Sequence, residues 1–321
     1  MACCPKSIIE DVLKKHDKIT HVYFVACGGS YAGLHPGKYF LESESKELKV
    51  DHYSSNEFCH ATPKSLGENS IVITQSSSGN TPETVKAAEI AQKAGAASVV
   101  ITFDDQSPLA KNGDYVLKYE AKATADMTGM AFGLKLAVEI LNQIEGYENY
   151  DEMMNGFDRI DGIVKHAKEF LTPRAKVFAE EYKDEKLIYM MGSGANYNVA
   201  YSFAICLLME MQWVNSSAIH SGEYFHGPFE ITDRETPFII LMSEGRTRPL
   251  DQRALDFLNR FAEKVIVLDA KELGLETIDD KVSEFFNPLL MGAALGCYSY
   301  ELSIARKHPL SCRRYMWKLQ Y

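Results

Sequence analysis

Short apolar runs alternate with amphipathic stretches through the first half of the chain. Five strands are predicted from runs rich in β-branched and aromatic residues: His21–Ala26, Lys49–Ser54, Ser70–Thr74, Ala97–Phe103 and Tyr115–Tyr119. Apolar residues at helical spacing predict four helices: Lys6–Lys18, Tyr31–Phe40, Thr81–Ala94 and Met127–Leu141. The segment Asn56–Phe58 is interpreted as a loop. Strands that alternate with helices indicate a parallel sheet with helices on both faces.

A polar stretch, Asn149–Glu185, is predicted to be a connecting helix, after which the same pattern begins again. Leu187–Met191 predicts a strand, and Asn196–Glu210 predicts the helix that follows it. The turn glycines Gly28 and Gly192 are 164 positions apart, and three further matching elements repeat at 166 or 167 positions. One nearly constant offset indicates a duplicated domain.

We therefore expect an α/β protein of two tandem doubly wound, parallel-sheet domains of the flavodoxin-like kind. The boundaries are 1–150 for the first domain and 151–321 for the connecting helix, the second domain and a C-terminal tail. A length of 321 residues gives each domain enough chain to bury its own core.

Composition excludes several classes of protein. The net charge of −10, with no basic stripe, argues against nucleic acid as the main partner. There is no apolar run long enough to cross a membrane and no secretion signal at the start. Seven scattered cysteines, without CxxC spacing, argue against a disulfide framework or a zinc site, so we expect a cytoplasmic protein.

The stretch Val72–Lys86, VITQSSSGNTPETVK, is the strongest sign of a ligand. An apolar strand runs into three serines, a turn follows at Gly79 and Asn80, and a helix start follows with Thr81 as the capping residue. Free N–H groups at a helix N-terminus, with hydroxyls around them, are suited to a phosphate. An ordinary serine-rich loop is the alternative, but a second Gly-Gly-Ser turn in the same half favours a ligand.

The second copy has SEGRT, residues 243–247, where the first has its serines. It lacks the hydroxyl cluster and carries an acid, Glu244. We therefore expect that only the first domain binds a phosphate.

Two residues of the second half are candidates for proton transfer. Glu210 lies in the very apolar run AICLLMEMQW, where it is either an acid at an exposed helix edge or one whose pKa is raised by burial. His226 is followed by glycine and proline, which fix its loop, although His220 and Glu223 are nearby alternatives. Lys318, in the basic and aromatic tail, could form an imine with a sugar carbonyl, or could be an ordinary tail lysine.

Several stretches together resemble the tandem sugar isomerase (SIS) family, which includes the isomerase half of glucosamine-6-phosphate synthase. They are FVACGGS, SSSGNTPET, SGANYNVAYSFAICLLMEMQW, IHSGEYFHGPFEI and HPLSCRRYMWK. The similarity is greater to the bacterial fructosamine-6-phosphate deglycases of the fructoselysine type, and it covers nearly the whole chain.

This resemblance implies roles for particular residues. Five residues would hold the sugar phosphate: Gly29, Ser30, Ser76, Ser78 and Thr81. Glu210 would be the proton-shuttling glutamate, and His226 the ring-opening or acid histidine, reaching across a dimer as in the synthase. Glu223 and Lys318 are possible substrate contacts. Lys318 lies near the place of the synthase's essential lysine, but a deglycase substrate already carries its nitrogen.

The expected activity is hydrolysis of a 6-phosphorylated fructosamine, the Amadori product of an amino acid, to glucose 6-phosphate and the free amino acid. No metal or cofactor is expected, and the partners would be the substrate and a second subunit. The alternatives are a sugar-phosphate isomerase or synthase-type enzyme, and a non-catalytic sugar-phosphate sensor. The attached amino acid and its linking nitrogen are left open, with a pocket expected from the tail and Tyr224.

Overall fold

The computed structural model describes residues 4–320 and divides the chain into two compact units, with the boundary between Met154 and Asn155. The first unit contains a parallel sheet of five strands: β1 (His21–Ala26), β2 (Lys49–Ser54), β3 (Ser70–Gln75), β4 (Ala97–Thr102) and β5 (Tyr115–Lys118). Its helices are α1 (Pro5–Lys15), α2 (Gly28–Glu44), α3 (Ser55–His60), α4 (Pro82–Lys93) and α5 (Gly129–Ile144), with short 3₁₀ turns at Ala110–Asn112 and Ala125–Met127.

The strand order of this sheet is β2-β1-β3-β4-β5, which is the flavodoxin-like order. The chain reverses its direction of progress between β1 and β3, and ligands of such sheets bind where the strands end at this reversal. In the register of the two strands, Ala26 at the end of β1 lies beside Gln75 at the end of β3.

Close helix packing supports one face of the sheet. A Cβ atom at Gly37 of α2 would lie 2.6 Å from the carbonyl oxygen of Gly133 in α5, so the two helices approach through glycine. The buried side chains of Phe24, Leu34 and Leu136 belong to this core.

The second unit repeats the arrangement with four parallel strands: β6 (Leu187–Gly192), β7 (Asn215–His220), β8 (Phe238–Met242) and β9 (Val265–Asp269). The order β7-β6-β8-β9 is that of β2-β1-β3-β4, so the predicted duplication is confirmed in the topology. The helices are α6 (Tyr150–Tyr182), which begins in the first unit, α7 (Tyr197–Ser202), a π-helix (Phe203–Met211), α8 (Arg248–Phe261) and α9 (Asn287–Ala305), with 3₁₀ turns at Gly194–Asn196, Pro228–Ile231, Leu275–Thr277 and Ser283–Phe286.

Two predicted elements are wrong. The segment interpreted as a loop at Asn56–Phe58 is part of the short helix α3, whose first turn is capped by the hydroxyl of Ser54 accepting from the N–H of Glu57. The single helix predicted over Asn196–Glu210 is a 3₁₀ turn, then α7, then the π-helix. The sequence of this segment gives no sign of where the winding changes.

Residues 306–320 form turns without regular helix, as expected from Pro309. The described part of the chain has no helix that is long and apolar enough to cross a membrane. Six cysteines are free thiols, and Cys3 lies outside the described residues.

Candidate active site

The two predicted binding turns of the first unit lie at the same edge of its sheet. α2 begins at Gly28, just after the end of β1, and the serine turn begins at Ser76, just after the end of β3. Because β1 and β3 are paired neighbours in a parallel sheet, their two following turns come together at the reversal point.

Hydroxyl groups hold the serine turn together. Ser76 is buried, and its hydroxyl shares a 2.9 Å hydrogen bond with the hydroxyl of Thr81. Ser78 is exposed; its hydroxyl accepts from the N–H of Asn80 at 3.2 Å, and the Asn80 side chain donates to its carbonyl at 3.0 Å. The turn therefore presents one hydroxyl to solvent while the others fix its shape.

Gly79 is required at the centre of this turn. Its φ of +66° lies in the left-handed region, and a Cβ atom there would be 2.1 Å from Oγ of Ser107. Its N–H donates to the carbonyl of Ser76 at 3.1 Å. A larger residue would have to displace the turn from the strand that follows it.

Neither of the helix starts beside the turns has a side-chain cap. Thr81 is the N-cap residue of α4 with Pro82 after it, but its side chain makes no cap hydrogen bond, so the expected capping by this threonine is wrong. Its hydroxyl bonds Ser76 instead. At the start of α2, Gly29 is exposed and Ser30 is half-buried. Uncapped N-termini with positive dipole ends are suited to an anion.

Glu210 lies on the π-helix of the second unit and pairs with a residue from the tail. An Nη atom of Arg313 is 2.7 Å from its carboxylate, although the two residues are 103 positions apart. The side chain of Glu210 is 23% exposed and that of Arg313 only 6%. Of the two interpretations of Glu210, an acid at an open helix edge does not fit these values. π-helices are rare and frequently occur at functional sites.

Burial raises the pKa of Glu210, and the neighbouring Arg313 guanidinium opposes this rise without cancelling it. Removal from water disfavours the charged form, whereas a nearby cation favours it. A carboxylate held between these two effects is suited to taking up and returning a proton.

The tail is fixed in place around Arg313. Its guanidinium donates to the carbonyls of Leu310 at 2.8 Å and Cys312 at 2.7 Å, and Nζ of Lys318 donates to the Arg313 carbonyl at 2.5 Å. Lys318 thus lies in the same corner as Glu210, with its ammonium engaged in holding the tail. The sequence analysis did not identify Arg313. The sequence did indicate that such a partner exists, because an acid in an apolar run is stable as a charge only beside a cation from another part of the chain.

His226 and Glu223 lie on an exposed turn after β7. The N–H of His226 donates to the carbonyl of Glu223 at 3.0 Å, and Gly227 then has a φ of +134°. Both side chains are exposed. The neighbouring Tyr224 is fully buried, with its hydroxyl 2.5 Å from that of Thr232, so the expectation that it lines a pocket is wrong.

The corresponding turn of the second unit, residues 243–247, is filled by a carboxylate of the protein. Glu284 is buried, and it accepts from the main-chain N–H of Arg246 at 3.2 Å and from its side-chain Nε at 2.6 Å. The side chain of Asn287 closes the same turn by bonding both the N–H and the carbonyl of Glu244. These contacts support the expectation that this turn does not bind a phosphate.

Within residues 4–320, no group of three or more His, Cys, Asp or Glu side chains is arranged to hold a metal ion.

Comparison with known proteins agrees with this geometry. The model of the SIS domain matches residues 17–143 and 181–274. The chain is 46% identical over 309 residues to the fructosamine deglycase FrlB of Bacillus subtilis (strain 168), covering 96% of this chain and 94% of that protein. It is 27% identical over 309 residues to the fructoselysine 6-phosphate deglycase of Escherichia coli (strain K12), covering 96% and 88%. The solved structure of a candidate phosphosugar isomerase from Salmonella typhimurium LT2 has a TM-score of 0.97 at 48% identity, covering 99% of this chain and 96% of that one.

Proposed function

Because this chain belongs to the SIS domain family, we propose that it is a fructosamine-6-phosphate deglycase. The substrate is a fructose 6-phosphate whose C1 carries the nitrogen of an amino acid, and the products are glucose 6-phosphate and the free amino acid. The observation that carries this proposal is the 46% identity to a fructosamine deglycase along nearly the whole chain.

The serine turn and the start of α2 are the proposed seat of the phosphate. Gly29 and Ser30 contribute from one turn, and Ser76, Ser78 and Thr81 contribute from the other. The open N–H groups and the positive helix ends supply charge complementarity, although the chain as a whole is acidic.

Glu210 is the proposed base. It removes a proton from C1, and the electron pair of that C–H bond moves to form the C1–C2 double bond of an enaminol as the C2 oxygen is protonated. A proton returned to C2 gives an imine at C1. Water adds to the imine, the C1–N bond breaks, and the amino acid leaves with its nitrogen. The raised pKa of Glu210 lets one group both take and return a proton.

His226 is the proposed acid that opens the sugar ring and moves protons between its oxygens. Its fixed but exposed turn supports a role toward a ligand or a second subunit. Glu223 is a candidate substrate contact on the same turn. Lys318 is assigned to the tail structure rather than to imine formation, because its ammonium holds the carbonyl of Arg313.

The enzyme is further proposed to act as a homodimer in the cytoplasm, without metal or cofactor. The exposed His226 turn supports completion of the site by a partner, and the free thiols fit a reducing compartment. Light scattering of the purified protein measures the dimer directly, and a monomer with full activity would contradict it.

The test is to incubate the purified protein with fructoselysine 6-phosphate and measure glucose 6-phosphate and lysine in equal amounts. Fructose 6-phosphate is the matched substrate for the isomerase alternative, which the Salmonella structure favours. Release of lysine without isomerisation supports the deglycase. Isomerisation alone, or saturable binding without any turnover, would overturn it.

A further inference from the structure

Two tryptophans occur in the sequence, and the structure places each against an arginine of the tail, one of which pairs with Glu210. The guanidinium carbon of Arg314 is 4.3 Å from the ring centre of Trp213, and that of Arg313 is 5.0 Å from the ring centre of Trp317. Both rings are open to solvent, with Trp213 44% and Trp317 77% exposed. Large exposed aromatic surfaces beside cations are typical of binding sites rather than of cores.

The backbone at these tryptophans is strained. Trp213 has a φ of +56° and Trp317 a φ of +62°, and within residues 4–320 only Lys307 shares this conformation among the non-glycine residues. Bulky side chains rarely adopt the left-handed region, and such outliers cluster at functional sites. The ring of His308 lies against Trp213, with 4.5 Å between the ring centres, and helps to fix its position.

The guanidinium groups of Arg313 and Arg314 differ in whether their N–H groups are already bonded within the protein. Arg313 is buried, and its guanidinium is engaged by Glu210 and by main-chain carbonyls. Arg314 is exposed, and among the described residues it has the contact with Trp213 but neither an ion pair nor a hydrogen bond. A guanidinium that stacks on a ring keeps its N–H edge free, in the geometry that binds a carboxylate with two parallel hydrogen bonds.

Two pairings connect the segment of the proposed base with the tail. Glu210 pairs with Arg313, and Trp213, three residues further along, pairs with Arg314, the next residue of the tail. The substituent on C1 of a fructosamine begins one atom away from the carbon that the base acts on. A charged group of that substituent is therefore a few bonds from the carbon on which the base acts, and Arg314 is the exposed cation one residue from the arginine that pairs with that base.

We infer that Arg314 and Trp213 form the subsite for the amino acid part of the substrate, with the guanidinium binding its carboxylate. This inference rests on the proposed function. It names the substrate class more closely: fructosamine 6-phosphates of free amino acids are accepted, and those whose carboxyl group is blocked or absent are disfavoured. Trp213 supplies a flat apolar wall that accepts different side chains.

The experiment compares fructosylglycine 6-phosphate with its glycinamide counterpart, which differs only in the carboxylate. We expect kcat/KM of the wild-type enzyme to be about 10- to 100-fold higher for the glycine substrate, the range for a charge-assisted contact. Arg314→Gln should lose this preference while keeping its rate on the glycinamide substrate, and Arg314→Lys should retain part of it. Arg253→Gln is the matched control, because Arg253 is also exposed and stacks on Phe225 at 4.1 Å.

Two outcomes would overturn the subsite. An unchanged preference in Arg314→Gln would show that the carboxylate is bound elsewhere. An equal loss on both substrates would show that Arg314 binds the sugar phosphate or supports the fold.

Tryptophan fluorescence separates this inference from the proposed reaction, since both tryptophans of the chain lie against Arg313 or Arg314. Titration with glycine should give a saturable change that methylamine does not give and that Arg314→Gln abolishes. If this signal is present but no substrate releases glucose 6-phosphate, the proposed function fails and the subsite stands. If glucose 6-phosphate is released and glycine changes the fluorescence of Arg314→Gln as it does that of the wild type, the subsite is wrong and the proposed function stands.

Discussion

The turn after β3 and the turn after β8 occupy the same place in two copies of one fold, but they differ in what neutralises their N–H groups. Neither of the helices that follow these turns has a side-chain cap, and in the first unit hydroxyls surround the turn. In the second unit, the carboxylate of Glu284 occupies the turn and bonds the N–H of Arg246. A duplicated anion site can thus be kept for a ligand in one copy and closed by the protein's own anion in the other.

Under the proposed function the two units have different tasks: the first binds the phosphate, and the second transfers the proton through Glu210. These tasks can be tested by substitutions in each unit: a change in the first should raise KM, and a change at Glu210 in the second should lower kcat.

The largest effect is expected from Glu210→Gln. The amide cannot accept the C1 proton, so kcat should fall by about 10²- to 10⁴-fold, the usual contribution of a general base. KM should change little, because the proposed phosphate seat is in the other unit. Steady-state kinetics with a fructosamine 6-phosphate measures both. Retention of more than a tenth of the wild-type kcat would contradict the assignment of the base.

Gly79→Ala tests the first turn. The added Cβ meets Ser107 at a backbone angle that favours glycine, so the turn must shift and KM should rise by about 10-fold or more with kcat nearly unchanged. Gly146→Ala is the control, since Gly146 also has a positive φ, +78°, but has nothing within 4 Å of the added atom. It should cost about 1–2 kcal/mol of stability and leave KM unaltered. An equal KM for both variants would mean that the turn does not hold the phosphate.

Glu284→Ala reopens the second turn. It removes a buried carboxylate and leaves the part-buried N–H of Arg246 without its acceptor, which should lower the free energy of unfolding by about 1–3 kcal/mol. Inorganic phosphate should then raise the melting temperature of this variant more than that of the wild type. Glu276→Ala is the control, because it removes an exposed carboxylate of the same unit. It should neither lower the free energy of unfolding in this way nor increase the effect of phosphate on the melting temperature. A variant that melts like the wild type and ignores phosphate would show that the second turn was never a closed anion site.

Arg313→Met should have the smallest effect, a shift along the pH axis. Arg313 lowers the pKa of Glu210, so its removal raises that pKa further above the ordinary value of a glutamate. A base acts when deprotonated, and the acidic limb of the kcat/KM profile should therefore move to higher pH. The raised pKa also means that the folded state binds the proton more tightly, so stability falls as pH rises through this window, and it should fall further in the variant. If the acidic limb stays in place or moves to lower pH, Arg313 does not lower the pKa of the group that acts as the base.

The sequence predicts the alternation of strands and helices because burial on both faces of a parallel sheet produces continuous apolar runs. β1 and β2 occupy the predicted residues, and the repeat offset gives the second copy. Short elements are different: α3 has six residues, and one capping contact at Ser54 decides its existence. That contact is not distinguishable from a turn in the sequence.

The sequence predicts the parts of the candidate site whose residues are adjacent in the chain, but not the contacts between distant residues. The serine turn is formed by residues adjacent in the chain, so its hydroxyl pattern is visible directly. The pairing of Glu210 with Arg313 joins residues 103 positions apart, and nothing in either local stretch identifies the partner. Tyr224 was expected to line a pocket, but it is buried by tertiary packing that the local sequence does not show.

The π-helix fixes the direction of the acid through the number of residues that precede it. At its end, the N–H of Gln212 bonds the carbonyl of Leu207, five residues back instead of four. Each residue of a regular helix turns the chain by about 100°. Ordinary winding over the same residues from Phe203 to Glu210 would turn the chain further and rotate the carboxylate away from its arginine, with both side chains of the pair still present. The winding of this segment, and not only the identity of its residues, therefore sets where the carboxylate points.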